Sequence, residues 1–253
     1  MSKKIYKMKY HILLFWLSLG LCTTLNAQKT EGTIQFEEKM NMHRNLPPDA
    51  GDMKAMIPEF RVLKSELLFT ATESLYRNVE EEEEDEEMGN GQVMIRMQRP
   101  ESTFYRDFGA GRKTDQREFM GKQYLIEDAI DQTPWKVSAD TREILGYNCM
   151  KAVWEDTTGG RQRNIVAWFA PDIAVSAGPA TYSQLPGMIL GVDINEGEIQ
   201  LTAQKIDFKP LKKGAIEMPK KGEKITQADF QKMMDERMRA MGGNGRGIRV
   251  IRN

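Results

Sequence analysis

Gly178–Ile194 reads G-P-A-T-Y-S-Q-L-P-G-M-I-L-G-V-D-I, and its second half decides the fold. Pro186 presets φ and Gly187 accepts φ > 0, so Leu185-Pro186-Gly187 predicts a type II turn. Met188-Ile189-Leu190 follows at once. Three consecutive apolar residues do not suit a strand with one wet face; they predict a strand buried on both faces, or one that leads into a covered edge.

Working outward, the flanks repeat one pattern. Thr103–Phe108, Lys113–Met120, Gln123–Glu127, Trp135–Ile144, Tyr147–Glu155 and Gln162–Phe169 are β-prone runs. Between most of them lie short Gly-bearing turns at Gly109-Ala110-Gly111, Gly121-Lys122, Leu145-Gly146 and Thr157–Gly160. Such runs predict successive antiparallel hairpins. Asn195-Glu196-Gly197 sets off one more strand, Ile199–Lys209. Upstream, Ile34, Phe36, Met40 and Met42 alternate with polar residues, a strand with one wet face. Residues 43–58 carry Pro47, Pro48, Gly51 and Pro58 and predict a loop with room for one short helical turn, and Glu66–Ala71 and Ser74–Val79 are expected as two strands or one bent hairpin.

The predicted fold is mainly β. It is a single antiparallel, strongly curved sheet or half-open barrel of nine to eleven strands, with a two-sheet sandwich as the alternative. A C-terminal helix closes the chain. Thr226 caps it with Asp229 at the capping-box distance, and Phe230, Met233, Met234, Met238 and Met241 follow at helical spacing. The expected organisation is a signal peptide over 1–27, a β domain over 28–225 with a disordered acidic loop at 80–91, a helix over 226–242 and a flexible tail over 243–253.

The compartment follows from the start of the chain. Lys3, Lys4, Lys7 and Lys9 precede the apolar run His11–Cys22, and Leu25-Asn26-Ala27 supplies a small residue for cleavage. About twelve apolar residues fall short of the ~20 needed to span a bilayer, so this reads as a secretory signal, not a membrane span. Leu21 stands where lipid processing wants a small side chain, so acylation of Cys22 is not expected. The reading is export across the inner membrane to the periplasm or the outer membrane, and not an integral membrane protein. Cleavage after Ala27 removes four lysines and no acid, moving the formal charge from −1 to −5. That balance gives no footing for nucleic acid. Glu80–Glu87 is an unbroken acidic run without the spaced Asp, Asn and Gly of a calcium loop.

Three segments together resemble the GLPGLI family of secreted bacterial proteins. They are Ile144-Leu145-Gly146-Tyr147-Asn148-Cys149-Met150-Lys151-Ala152, then Ala167-Trp168-Phe169-Ala170-Pro171-Asp172-Ile173, then Gly178-Pro179 with Gln184-Leu185-Pro186-Gly187-Met188-Ile189. The resemblance implies a mainly β fold, a signal peptide and an envelope location. It makes Gly146, Cys149, Pro171, Leu185, Pro186 and Gly187 structural motif residues, and it brings no established activity and hence no catalytic residue. Gln184 stands where the name has Gly, which reads as no strict need for glycine there. Gly191-Val192 replaces an acidic-apolar pair.

Candidate chemistry is sparse. Cys149 lies mid-strand with Tyr147, Lys151, Val153 and Glu155 on its face and Trp154 on the other. It has no activating neighbour, and His43 is the one histidine outside the signal. A catalytic role would need those two in contact. Met40, Met42 and His43 offer a thioether–imidazole set for copper(I), as do the spacings Met53–Met56 and Met94–Met97; alternation turns His43 away from Met40 and Met42 unless the strand ends there. Trp154, Trp168 and Tyr182, with Trp135, are candidates to line a ligand cavity or simply to fill a core. No phosphate loop, HExxH, GxSxG or CxxC occurs, and no cofactor is implied. The expectation is a non-catalytic envelope protein that binds a lipophilic ligand or docks on an outer-membrane protein, with copper(I) binding as the alternative.

Overall fold

The computed structural model describes residues 29–44, 46, 50–79, 101–130, 132–158 and 162–240. The signal region, Cys22, the acidic run 80–91, Met94, Met97 and the tail 243–253 lie outside these. In chain order the elements are β1 (Gly32–Asn41), α1 (Gly51–Met56), β2 (Phe60–Phe69), β3 (Glu73–Asn78), β4 (Ser102–Asp107), β5 (Arg112–Phe119), β6 (Lys122–Ala129), β7 (Lys136–Ile144), β8 (Tyr147–Asp156), β9 (Arg163–Ala170), β10 (Met188–Ile194), β11 (Ile199–Asp207), β12 (Glu223–Ile225) and α2 (Gln227–Ala240).

The twelve strands make one sheet, in the order β12-β6-β5-β4-β3-β2-β1-β11-β10-β9-β8-β7. It is mainly antiparallel, as the hairpin punctuation predicts, and a single sheet rather than a two-sheet sandwich. The additional strand is β12, which pairs parallel to β6. Strand β2 begins at Phe60, six residues before the run at Glu66, because its first half alternates exposed with half-buried residues against β1.

One connection fixes the curvature. Residues 130–135 join β6 to β7, and an extended chain of that length reaches about 25 Å. Ten strand steps separate β6 from β7; laid flat they would span about 48 Å. The sheet therefore curls strongly without closing. Among the described residues, no helix is long and apolar enough to cross a membrane.

The two-residue hairpin loops are Leu145-Gly146, with φ of 51° and 80°, and Met120-Gly121, with φ of 53° and 74°. Positive φ at both central residues is the type I′ pattern that matches strand twist. The second loop therefore sits one residue earlier than the Gly121-Lys122 turn expected from sequence.

Strand β10 is buried along almost its whole length between β9 and β11, as its apolar run predicts. The turn before it differs from the prediction. Gly187 N donates to Leu185 O at 2.8 Å, a γ-turn around Pro186, while Met188 N donates to Ile173 O at 3.0 Å. A type II turn would need the Met188 N–H for itself. Gly187 does take a positive φ, 149°, but close approach matters more: a Cβ there would sit 2.3 Å from Ala170 O.

Residues 171–187 thus fold inward as a packed loop. Gln184 N donates to Ser176 O and Ile189 N to Ala177 O, and Ile173, Val175, Ala177 and Leu185 are buried in the main core. Gln184 has φ of 71°, a region that favours glycine. The place favours glycine without strictly requiring it. Gln184 is held in that conformation by its own backbone bond and by Thr133 N, which donates to Gln184 Oε1 at 3.0 Å.

Helix α2 starts as its cap predicts. Asp229 N donates to Thr226 Oγ1 at 3.1 Å, and the hydroxyl donates back to Asp229 Oδ2 at 2.8 Å. Phe230 is buried against Tyr124 and Phe119, with ring centroids 5.5 and 6.3 Å away.

Candidate binding groove

Directly paired residues in an antiparallel ladder share a face, so the register shows which side chains meet. Trp154, Ile165, Ile194, Ile199, Met40 and Arg61 form one row from β8 across to β2. Further along the same face lie Phe36, Leu67, Tyr76 and Phe104, all core residues.

At the Met40–Arg61 end this inner face opens into a groove of about 330 Å³. Met40, Leu63, Phe119, Phe230 and Met234 supply apolar wall, and Glu38, Arg61, Ser102, Arg117 and Glu118 supply polar wall. Strands β1, β2, β4 and β5 form its sides and α2 one flank. Such a volume lies at the small end of ligand sites, which run from about 300 to 1,000 Å³.

A buried charge cluster adjoins it. Arg106 and Asp115 are 4% and 1% exposed, and Arg106 Nη1 donates to Asp115 Oδ1 and, at 2.8 Å, to Tyr105 O. Arg117 Nη2 donates to Asp115 Oδ2 at 3.2 Å. Two guanidinium groups therefore share one carboxylate. The Arg117 guanidinium also lies 5.0 Å from the Phe104 ring centroid and 5.9 Å from that of Phe230, contacts a planar cation makes well. Its Nε is buried with no acceptor among the described residues.

The aromatic candidates separate. Trp135 packs edge-on to Trp154 at 5.8 Å and tilted to Tyr182 at 6.4 Å, and its Nε1 donates to Ser183 O at 3.0 Å. These rings fill the inner face beside the loop. Burial pushes the Tyr182 phenol up to about 12; Arg163 opposes the shift, while Asp156 and Glu38 add to it. Asp156 is itself buried, which alone would raise its carboxyl. Thr158 and Arg163 outweigh that and hold it below the usual range. Trp168 pairs with Lys151 and Gly191, which puts it on the opposite face; there Arg142 stands 4.7 Å from its ring. A Cβ on Gly191 would come 3.0 Å from the same guanidinium.

Cys149 is fully buried, and burial pushes its thiol up to about 11 against the pull of Arg142. It lies four strands over from β1 and five residues along β8 from the row that contains Met40. His43 stands just past the end of β1, its Nε2 2.7 Å from Ile57 O. The two are not brought together. Nor does the structure gather the copper candidates into an evident centre: Met40 lines the groove, Met42 sits in the turn after β1, and His43 is bonded to the Ile57 carbonyl. Among the described residues, no three His, Cys, Asp or Glu side chains converge as a metal site.

Sequence reasoning missed the groove, whose residues come from five separate elements. The available signal was alternation: Glu38 with Met40, and Arg61 with Leu63, stand two apart on their strands.

The comparisons with known proteins bear on the fold. A family model described as "Protein of unknown function (Porph_ging)" matches residues 155–191. That stretch contains Pro171, Leu185, Pro186 and Gly187, and a family of unknown function is compatible with the GLPGLI resemblance. No curated protein matches the chain. Two solved structures of PNGF-II, in space groups P21 and C2, match with a TM-score of 0.51 each. They are 15% and 16% identical and cover 81% of this chain. The fold is similar to part of PNGF-II. The chain spans only 33% and 32% of the length of those PNGF-II chains, and at this identity the likeness concerns the fold alone.

Proposed function

We propose that this is a non-catalytic, secreted cell-envelope protein that holds an apolar small molecule in the groove between β1, β2, β4, β5 and α2. The supporting observation is the groove itself. It has five apolar side chains on its walls and lies on the same face as the core residues Phe36, Leu67, Tyr76 and Phe104. The Trp135, Trp154 and Tyr182 rings are packed against one another and line the interior beside the groove, not the groove.

The test is mild extraction of the tagged protein from its native envelope, followed by native mass spectrometry. The expected spectrum shows a small apolar molecule bound to the wild type and much depleted in Met234→Trp, whose larger side chain narrows the groove. A stoichiometric protein partner without small molecule would replace this reading with docking, for which exposed Phe60 and Val62 on the outer face are the natural seat. Bound copper or an empty wild-type protein would also count against it.

A further inference from the structure

We propose that the occupant of the groove is a single-chain amphiphile with one anionic head, a carboxylate or a phosphate, and that Arg117 holds that head. The inference rests on the groove being the binding site, and it adds the chemical class of the ligand.

Three observations lead to it. First, two cations share one anion: among the described residues Asp115 is the one carboxylate bonded to both the Arg106 and Arg117 guanidinium groups, so that triad by itself carries one net positive charge in a partly dry setting. An anion from outside would complete it. Second, Arg117 is placed for recognition. The Phe104 and Phe230 rings lie 5.0 and 5.9 Å from its guanidinium carbon, and the Nε–H has no acceptor among the described residues. A head-group oxygen would supply one. Guanidinium suits carboxylate and phosphate alike, since both offer paired oxygens to its N–H groups.

Third, the rest of the groove restricts the remainder of the ligand. Met40, Leu63, Phe119 and Met234 offer apolar wall, and about 330 Å³ leaves room for one short chain rather than a two-chain lipid. Glu38 lines the same groove, so a second anionic group on the ligand would meet a carboxylate. One anionic head and one alkyl chain satisfy all of these constraints.

Isothermal titration calorimetry with three probes of equal chain length tests this: decanoate, decyl phosphate and 1-decanol, each below its aggregation concentration. Wild-type protein is expected to bind at least one of the two anions about tenfold or more tightly than the alcohol; which anion is tighter identifies the head group. Arg117→Gln is expected to erase that preference while leaving decanol binding in place. Arg117→Lys, which keeps the charge and loses the planar fork, should retain only part of it. Met234→Trp, which narrows the groove, should weaken all three ligands together. Thermal melts of each variant check that it is folded, and Arg117→Lys answers the question if Arg117→Gln is not.

Decanol binding as tightly as both anions would overturn the anionic head and leave the groove reading intact. So would a preference that survives in Arg117→Gln or is undiminished in Arg117→Lys. If none of the three probes binds wild-type protein, the groove reading falls, and this inference with it.

Discussion

The two halves of the sheet solve the same geometric problem in opposite ways. A curled sheet leaves an interior that something must fill. On the β8–β11 side the chain fills it with its own 171–187 loop, and the buried residues there are overwhelmingly apolar: Ile173, Val175, Leu185, Met188, Ile189 and Leu190. On the β2–β6 side no such loop enters among the described residues. The interior holds Arg106, Lys113 and Asp115 instead, and it opens into the groove flanked by α2. The first half is closed by sequence-local packing. The second keeps space and charge, both of which cost stability and are tolerated most often where they serve recognition.

Gly187→Val is the sharpest way to break the closed half. Its side chain would meet Ala170 backbone 2.3 Å from the Cβ position, and backbone cannot step aside as a side chain can. Turn strain alone would cost about 1–3 kcal/mol; with the clash the expected loss is about 4 kcal/mol or more, read from urea denaturation. An unchanged midpoint would mean that the loop is not what holds this half together.

Asp115→Asn addresses the other half. It leaves two guanidinium groups beside a neutral amide in a buried setting, and the expected loss is about 3 kcal/mol. A loss below about 1 kcal/mol would show that water reaches the cluster freely.

Alkaline pH gives the smallest effect and separates the halves by onset. The folded values of Cys149, about 11, and Tyr182, about 12, lie above their ordinary 9.0 and 10.0. Their contributions are therefore complete below those ordinary values and are lost as pH rises through the folded ones. Cys149 is the first to matter, so thermal midpoints should begin to fall near pH 9. In Cys149→Ala the fall should start about one pH unit later, with the tyrosines. Tyr105, on the groove side, is also raised to about 12, by burial first and then by its bond to Glu73. An onset that does not move in Cys149→Ala would mean that the thiol is not the group that titrates first.

Much of this fold is legible in the residues. Short Gly turns between β-prone runs predict the meanders, and Thr226 with Asp229 predicts the start of α2. What escapes sequence reading does so for physical reasons. Met120, Leu145 and Gln184 take positive φ without being glycine, because register and side-chain hydrogen bonds outweigh a local preference. Strand β12 is three residues long and pairs in parallel with β6, and nothing in Glu223-Lys224-Ile225 announces that. The γ-turn at Pro186 depends on Ile173 O taking the Met188 N–H, a contact across the loop. The groove depends on the curl, and so on the brevity of residues 130–135. Trp154 and Trp168 look equivalent as letters; only pairing across β8 and β9 assigns them to opposite faces.

The strand order also bears on how the chain comes to be folded. Strands β1 to β6 form one run of nearest-neighbour hairpins and β7 to β11 another, each assembled from contacts close in sequence. The seam between them is β1 against β11, where Thr33 pairs with Asp207. Closing that seam requires the ends of a very long loop to meet, and such pairings are the slow ones. Until it forms, β1 presents an unpaired edge in the middle of the future sheet. A newly made chain would hold that edge open for most of its folding time, so the seam, and not either meander, is where a chaperone would be most useful.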